Sequence, residues 1–178
     1  MVWYKPVLDA VPIFEKGIPY EEFVANYDEG QRERFDNAYN AAQISQEDLE
    51  WFRERARREG GPIRTLVINE NWCGDGIFNL ALLGRINAET GAFHIRVIYR
   101  DAPENAEVVE KYFLTLGRKK LPVFVFIDRE GREMGRFASR PEEQEFARIQ
   151  GDDEGVRRPY RDGSYVAAAI AEFKAALA

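Results

Sequence analysis

The sequence predicts a mixed α/β fold, a four-stranded sheet with helices on both faces. Three observations carry this reading. Residues 65–68, 93–100 and 122–127 are apolar runs with the texture of strands. A stretch that is apolar almost all round, residues 76–86, lies between the first two runs, as a buried helix does in a β-α-β unit. The third run is joined to a fourth segment, residues 133–137, by Asp128-Arg129-Glu130-Gly131, in which Gly131 supplies the positive φ that hairpin loops need.

Taken in order, residues 1–60 read as a helical extension. Pro19 with Tyr20-Glu21-Glu22-Phe23-Val24 looks like a helix start. Residues 31–42 place Phe35, Tyr39 and Ala42 at helical spacing. Ser45-Gln46-Glu47-Asp48 resembles a capping box, and Leu49, Phe52 and Ala56 continue from it until Gly60-Gly61 stops the helix. The apolar faces of these helices require a cover, which the following domain, residues 61–178, supplies. In that domain the continuous run Thr65-Leu66-Val67-Ile68 suits a strand covered on both faces. The first two strands are expected to be parallel with a right-handed crossover. Pro103 opens a helix through Val108, Val109, Tyr112, Phe113 and Leu116, ended by Gly117. Residues 139–163 carry Pro141, Gly151, Gly155, Pro159 and Gly163 and read as a long loop insertion, with a short helix near residues 142–148. A last helix shows Val166, Ile170, Phe173 and Leu177 on one face.

Composition removes several function classes. The chain has 178 residues, 45% hydrophobic and 31% charged, which is ordinary for a globular domain that needs no disulfide or metal staple. A net charge of -6, from 31 acids against 25 bases, speaks against nucleic acid as a partner. Zinc spacings are missing, since Cys73 and His94 are the only cysteine and histidine. No apolar run approaches the ~18 residues of a membrane span. Met1-Val2-Trp3-Tyr4-Lys5-Pro6 does not resemble a signal peptide, so a reducing cytoplasm is the expected location.

The chemistry gathers at Asn69-Glu70-Asn71-Trp72-Cys73-Gly74-Asp75-Gly76, between the first strand and the buried helix. This places the single thiol at a helix N-terminus, where free N–H groups and the dipole favour thiolate. Glu70 and Asp75 push the other way, and Arg118, Lys119 and Lys120 lie just before the third strand. Sequence leaves the sign of the shift open.

The strand, then Trp72-Cys73-Gly74, a buried helix, and a basic stretch leading to Leu121-Pro122 and a hairpin together resemble the thioredoxin superfamily over roughly residues 61–178. Trp-Cys-Gly-Asp followed by a small residue is similar to a bacterial thioredoxin-like branch. The resemblance implies that Cys73 is the nucleophile, Trp72 the tryptophan before it, Pro122 the cis-proline beside the thiol, and Leu121 the residue whose backbone pairs with an extended substrate. With them, Gly74 and Asp75 complete the expected substrate-facing surface. Gly76 stands where the second cysteine would be, Asp75 where many members have proline, and Val67 where dithiol members carry a buried acid. Dithiol chemistry is therefore closed to this protein.

Two functions remain. In the first, Cys73 performs monothiol thiol–disulfide exchange on a protein disulfide or mixed disulfide, with no tightly bound cofactor and a low-molecular-weight thiol as co-substrate. In the second, the same groove is a non-catalytic module that holds an extended peptide. Asp75 is read first as a complement to the helix dipole and second as a proton relay. His94 is expected ~20 Å from the thiol, six strand residues away at ~3.3 Å each, which excludes a Cys–His pair.

Overall fold

A computed structural model describes residues 4–178; Met1, Val2 and Trp3, which open the stretch read for a signal peptide, lie outside the described residues. The sheet contains β1 (Ile18–Pro19), β2 (Ile63–Asn69), β3 (Phe93–Tyr99), β4 (Val123–Ile127) and β5 (Glu133–Ala138), in the order β1-β3-β2-β4-β5. The expected β-α-β-α-β-β-α order is present. β2 and β3 are parallel, with Thr65 opposite Ile95, while β4 runs antiparallel to both β2 and β5. Gly131, at φ 88°, turns the β4–β5 hairpin.

The expected four strands become five. Residues 18–19, read as the approach to a helix, pair antiparallel with β3, Ile18 opposite Val97, and so extend the sheet. A two-residue strand has too little pattern of its own to be seen in a sequence; its partner defines it.

Central strands carry side chains to two cores. Val67, Phe124 and Phe126 face one layer, built from α2 (Tyr20–Ala25), α3 (Glu29–Ala41), α4 (Gln46–Arg58), α5 (Gly74–Thr90) and α9 (Tyr165–Leu177). Leu66, Ile68, Val123 and Val125 face the other, built from Val7, α1 (Val11–Glu15) and α6 (Ala106–Tyr112). This explains the unbroken apolar run in β2: alternate residues serve opposite layers, and each fully buried Leu, Ile or Phe adds about 1.5–3 kcal/mol. The helix starts follow local chemistry. Ser45 Oγ accepts the Asp48 N–H at 3.0 Å, and Asp28 forms a reciprocal capping box with Gln31.

Within residues 139–163 the short helix expected near residues 142–148 is present as α7 (Glu142–Ile149), and the remainder, expected to be loop, forms a second helix, α8 (Asp153–Asp162). Most of the residues read as breakers are helix ends. Pro141 precedes α7, Gly151 at φ 77° follows it, Asp152 caps α8 through the Gly155 N–H, and Gly163 at φ 81° closes it. Gly155, in the first turn of α8, and Pro159 fall inside a helix. The helix opened at Pro103 is also shorter than expected. A 3₁₀ turn over Pro103–Asn105 leads into α6, which ends at Tyr112, before Leu116 and Gly117.

The segment before α1 is tied to the far edge of the sheet. Glu133 and Arg136 form an ion pair with side chains 1% and 2% exposed. Glu133 accepts the Val7 N–H at 2.8 Å, and Arg136 donates to Tyr112 O and Lys5 O and lies over the Tyr4 ring.

Candidate functional site at the start of α5

Cys73 is the N-cap of α5. Its Sγ accepts the Gly76 N–H at 3.4 Å, the place an Asp or Ser oxygen takes in an ordinary cap. The residue is only 6% exposed and packs in the layer containing Leu66, Ile68, Leu121 and Val123. Burial pushes the thiol up to about 11; the Gly76 N–H pulls it down, Asp75 pushes it up, and Arg140 pulls it down. Desolvation therefore outweighs the helix N-terminus, and the thiol is neutral at pH 7.

Antiparallel pairing of β4 with β2 sets Val123 opposite Ile68, so Leu121 and Pro122 come alongside the Asn69–Cys73 loop. The Leu121–Pro122 bond is cis. Pro122 O accepts the Ser139 N–H at 2.7 Å, whereas neither the N–H nor the C=O of Leu121 has a hydrogen-bond partner among the described residues. Trp72 is 59% exposed, with the Arg100 guanidinium 5.2 Å from its ring centroid. Gly74 has nothing within 4 Å of where a side chain would stand.

Asp75 faces the α7–α8 segment. Its carboxylate pairs with Arg140 and accepts the Tyr160 hydroxyl at 2.9 Å, and its backbone carbonyl accepts Asn79 Nδ2 at 2.9 Å. Tyr160 stacks on Phe78 with centroids 4.4 Å apart. Burial, then Asp75, pushes the Tyr160 phenol far above its usual range, so it stays a donor. Beyond Arg140, Lys120 pairs with Glu145, and Lys119 pairs with Glu110 at 3.1 Å.

Gly76, at the position where a second cysteine would stand, has no room for a side chain. A Cβ there would lie 2.2 Å from Asn69 Oδ1 and 2.5 Å from Asn69 Nδ2. Asn69 is fully buried, and neither of its amide atoms has a partner among the described residues. From the opposite side the α2–α3 connection closes over the loop. Asn71 Nδ2 donates to Asn26 O at 3.0 Å, and Tyr27, 8% exposed, presents a hydroxyl without a partner among the described residues. Burial and then the neighbouring Cys73 push the Tyr27 phenol up.

The structure thus gathers Trp72, Cys73, Gly74, Asp75, Leu121 and Pro122 at one end of the sheet. It adds Tyr27, Asn69, Arg140 and Tyr160, which sequence reasoning missed. Asn69 stood inside the segment singled out and was identifiable as a polar residue ending a buried strand; the other three carried no local signal. His94 pairs in register with Arg64, at the end of β3 away from the loop, and sits edge-on to Phe14. Among the described residues no group of three or more His, Cys, Asp or Glu is placed to hold a metal ion, and no helix is long and apolar enough to cross a membrane.

A parallel β-α-β core, an antiparallel hairpin and a cysteine capping the intervening helix define a thioredoxin-like protein with one thiol. The thioredoxin family model matches residues 17–149, and the chain belongs to that family. Its match begins within the N-terminal helices, beside β1. Among solved structures, a protein of unknown function from Pseudomonas aeruginosa is 21% identical, with a TM-score of 0.71 over 96% of this chain and 98% of that one. An HIV epitope-scaffold is 20% identical, with a TM-score of 0.71 over 95% of this chain and 97% of its own. Likeness at this identity concerns the fold. No curated protein matches the chain.

Proposed function

We infer that this protein is a binding module that holds an extended peptide segment across Trp72, Cys73, Leu121 and Pro122. The observation that carries this reading is the unpaired backbone of Leu121, which offers a donor and an acceptor to an added strand. Trp72, exposed beside it, supplies the aromatic anchor. The test is a random peptide library panned on the folded protein, with binders measured by titration. The selected peptides are expected to bind Cys73→Ser within about threefold of the parent, since no covalent bond is made, and Trp72→Ala at least about tenfold more weakly. N-methylation of the peptide amide facing Leu121 O should abolish binding. Binders indifferent to both Trp72→Ala and N-methylation would refute the groove.

Monothiol thiol–disulfide exchange through Cys73, completed by a low-molecular-weight thiol, is the second reading. The Gly76 N–H on Sγ favours it. The burial of the thiol ranks it second. At a pKa of about 11 the thiol is ionised to roughly one part in 10⁴ at pH 7, and its greater basicity restores only about tenfold in nucleophilicity, so attack runs ~25-fold slower than at a free thiol. Mixing reduced protein with a glutathione mixed disulfide across pH separates the readings; turnover at pH 7 would promote exchange to first place. The Trp72-Cys73-Gly74-Asp75 sequence with a small residue after it supports assignment to the bacterial branch named above, working in a reducing cytoplasm.

A further inference from the structure

Four buried polar atoms without a partner among the described residues belong to three residues around the thiol: Tyr27 Oη, Asn69 Oδ1, Asn69 Nδ2 and Asn71 Oδ1. Unpaired atoms also occur on Asn79, Arg140, Gln144 and Glu145 on the α7–α8 side, but each of those residues is bonded through another side-chain atom, whereas Asn69 and Tyr27 have no bonded side-chain polar atom among the described residues, which calls for an explanation. Asn69 is wholly buried, and its amide flanks Gly76, whose N–H already points at Sγ. Tyr27 follows Asn26, whose carbonyl accepts from Asn71 two residues before the thiol, so the α2–α3 connection brings this buried phenol to the same loop. Two donors, Asn69 Nδ2 and the Tyr27 hydroxyl, and two carbonyl acceptors thus belong to the loop that carries the sulfur and to the elements closing over it, and the S–H is itself a weak hydrogen-bonding group. An oxygen attached to that sulfur would satisfy them.

We propose that Cys73 is an oxidation site for hydrogen peroxide, and that its sulfenic acid is held by Asn69, Tyr27 and Asn71. Sγ attacks one peroxide oxygen; the S–O bond forms as the O–O bond breaks. The thiol proton ends on the departing hydroxide, giving water. Sulfur loses two electrons and the peroxide gains them. The new oxygen accepts from Asn69 Nδ2 and the Tyr27 hydroxyl, and its O–H donates to Asn69 Oδ1 or Asn71 Oδ1. With one cysteine in the sequence, the sulfenic acid has no second thiol of its own with which to condense, and burial keeps bulky thiols away. The product is therefore long-lived, and the oxidation places a new polar atom on the floor of the proposed groove. This proposal does not depend on peptide binding: either can fail alone.

The test uses the full reduced protein, hydrogen peroxide in large excess because so little of the thiol is ionised at pH 7, catalase to stop the reaction, and a timed wait. Each sample is then denatured in a 1,3-dione that marks sulfenic acid, and the adduct on Cys73 is read by peptide mass. This readout is blind to oxidation of the two methionines. Tyr27→Phe and Asn69→Leu are compared with the parent protein, with thermal melting confirming that each is folded. The parent protein is expected to retain the adduct through the wait. Each variant should give about tenfold less, its sulfenic acid having taken up a second peroxide before the quench or condensed with the thiol of another molecule to a disulfide, releasing water. The proposal is overturned by a native protein that yields no Cys73 adduct, or by folded variants that retain it as well as the parent does.

Discussion

Two polar clusters flank the first turn of α5, and they are built on different terms. On the side of α7 and α8, Asp75, Asn79, Arg140 and Tyr160 each make at least one hydrogen bond or ion pair. On the side of β2 and the α2–α3 connection, neither the Asn69 amide nor the Tyr27 hydroxyl makes any among the described residues. The first cluster behaves as a clamp, joining a late segment of the protein to the helix that carries the thiol. In the second, the Tyr27 ring packs against Phe23 and Phe35, but its hydroxyl and the Asn69 amide hold the fold by no hydrogen bond among the described residues. A protein that tolerates such groups retains them for what they meet, not for what they support.

This contrast is open to measurement. The largest effect is expected from Arg140→Ala, which strands the mostly buried Asp75 carboxylate and should cost about 3 kcal/mol in urea denaturation. A loss below about 1 kcal/mol would mean that the clamp is decorative. Next is pH. The folded thiol titrates near 11, above the ~8.5 of an unfolded cysteine, so the unfolded state loses its proton first. Stability is then unaffected by this group below about pH 8.5 and falls by up to about 3 kcal/mol between there and about pH 11; Cys73→Ser should lack that component. Gly76→Ala should destabilise by about 2 kcal/mol by driving a methyl into the Asn69 amide, and adding Asn69→Ala to that variant should recover most of the loss. The sharpest pair has the smallest effects. Tyr160→Phe removes a bonded hydroxyl and should cost about 1 kcal/mol, whereas Tyr27→Phe removes an unbonded one and should be neutral or slightly stabilising. Equal losses for the two tyrosines would erase the distinction.

What the sequence conveyed follows the same division between local and distant causes. The β2 run, the Ser45 cap, the Gly131 turn and the position of Cys73 at a helix start depend on neighbouring residues, and all were readable. The sign of the thiol's shift was not, because it is set by burial under residues from other elements. Tyr27 lies far before Cys73 in sequence, and Arg140 and Tyr160 lie far after it. In the insertion, α7 is legible, whereas α8 reads as loop for a different reason. Glycine and proline mark helix ends as readily as loops, and only the tertiary contacts of Phe78 with Tyr160 and of Asp75 with Arg140 show which they are.

The segment preceding α2 touches both margins of the sheet. Ile18 and Pro19 line the outer side of β3, while Val7 O and Ala10 N bond Glu133 N and Gly131 O at the other margin, with α1 lying between them across one face. One short length of polypeptide therefore covers part of each lateral edge of the sheet, leaving the Leu121 backbone at its end open. Proteolytic loss of the first ~20 residues would bare two unpaired rows of peptide groups at once, and each bared margin would become a seed for side-by-side stacking.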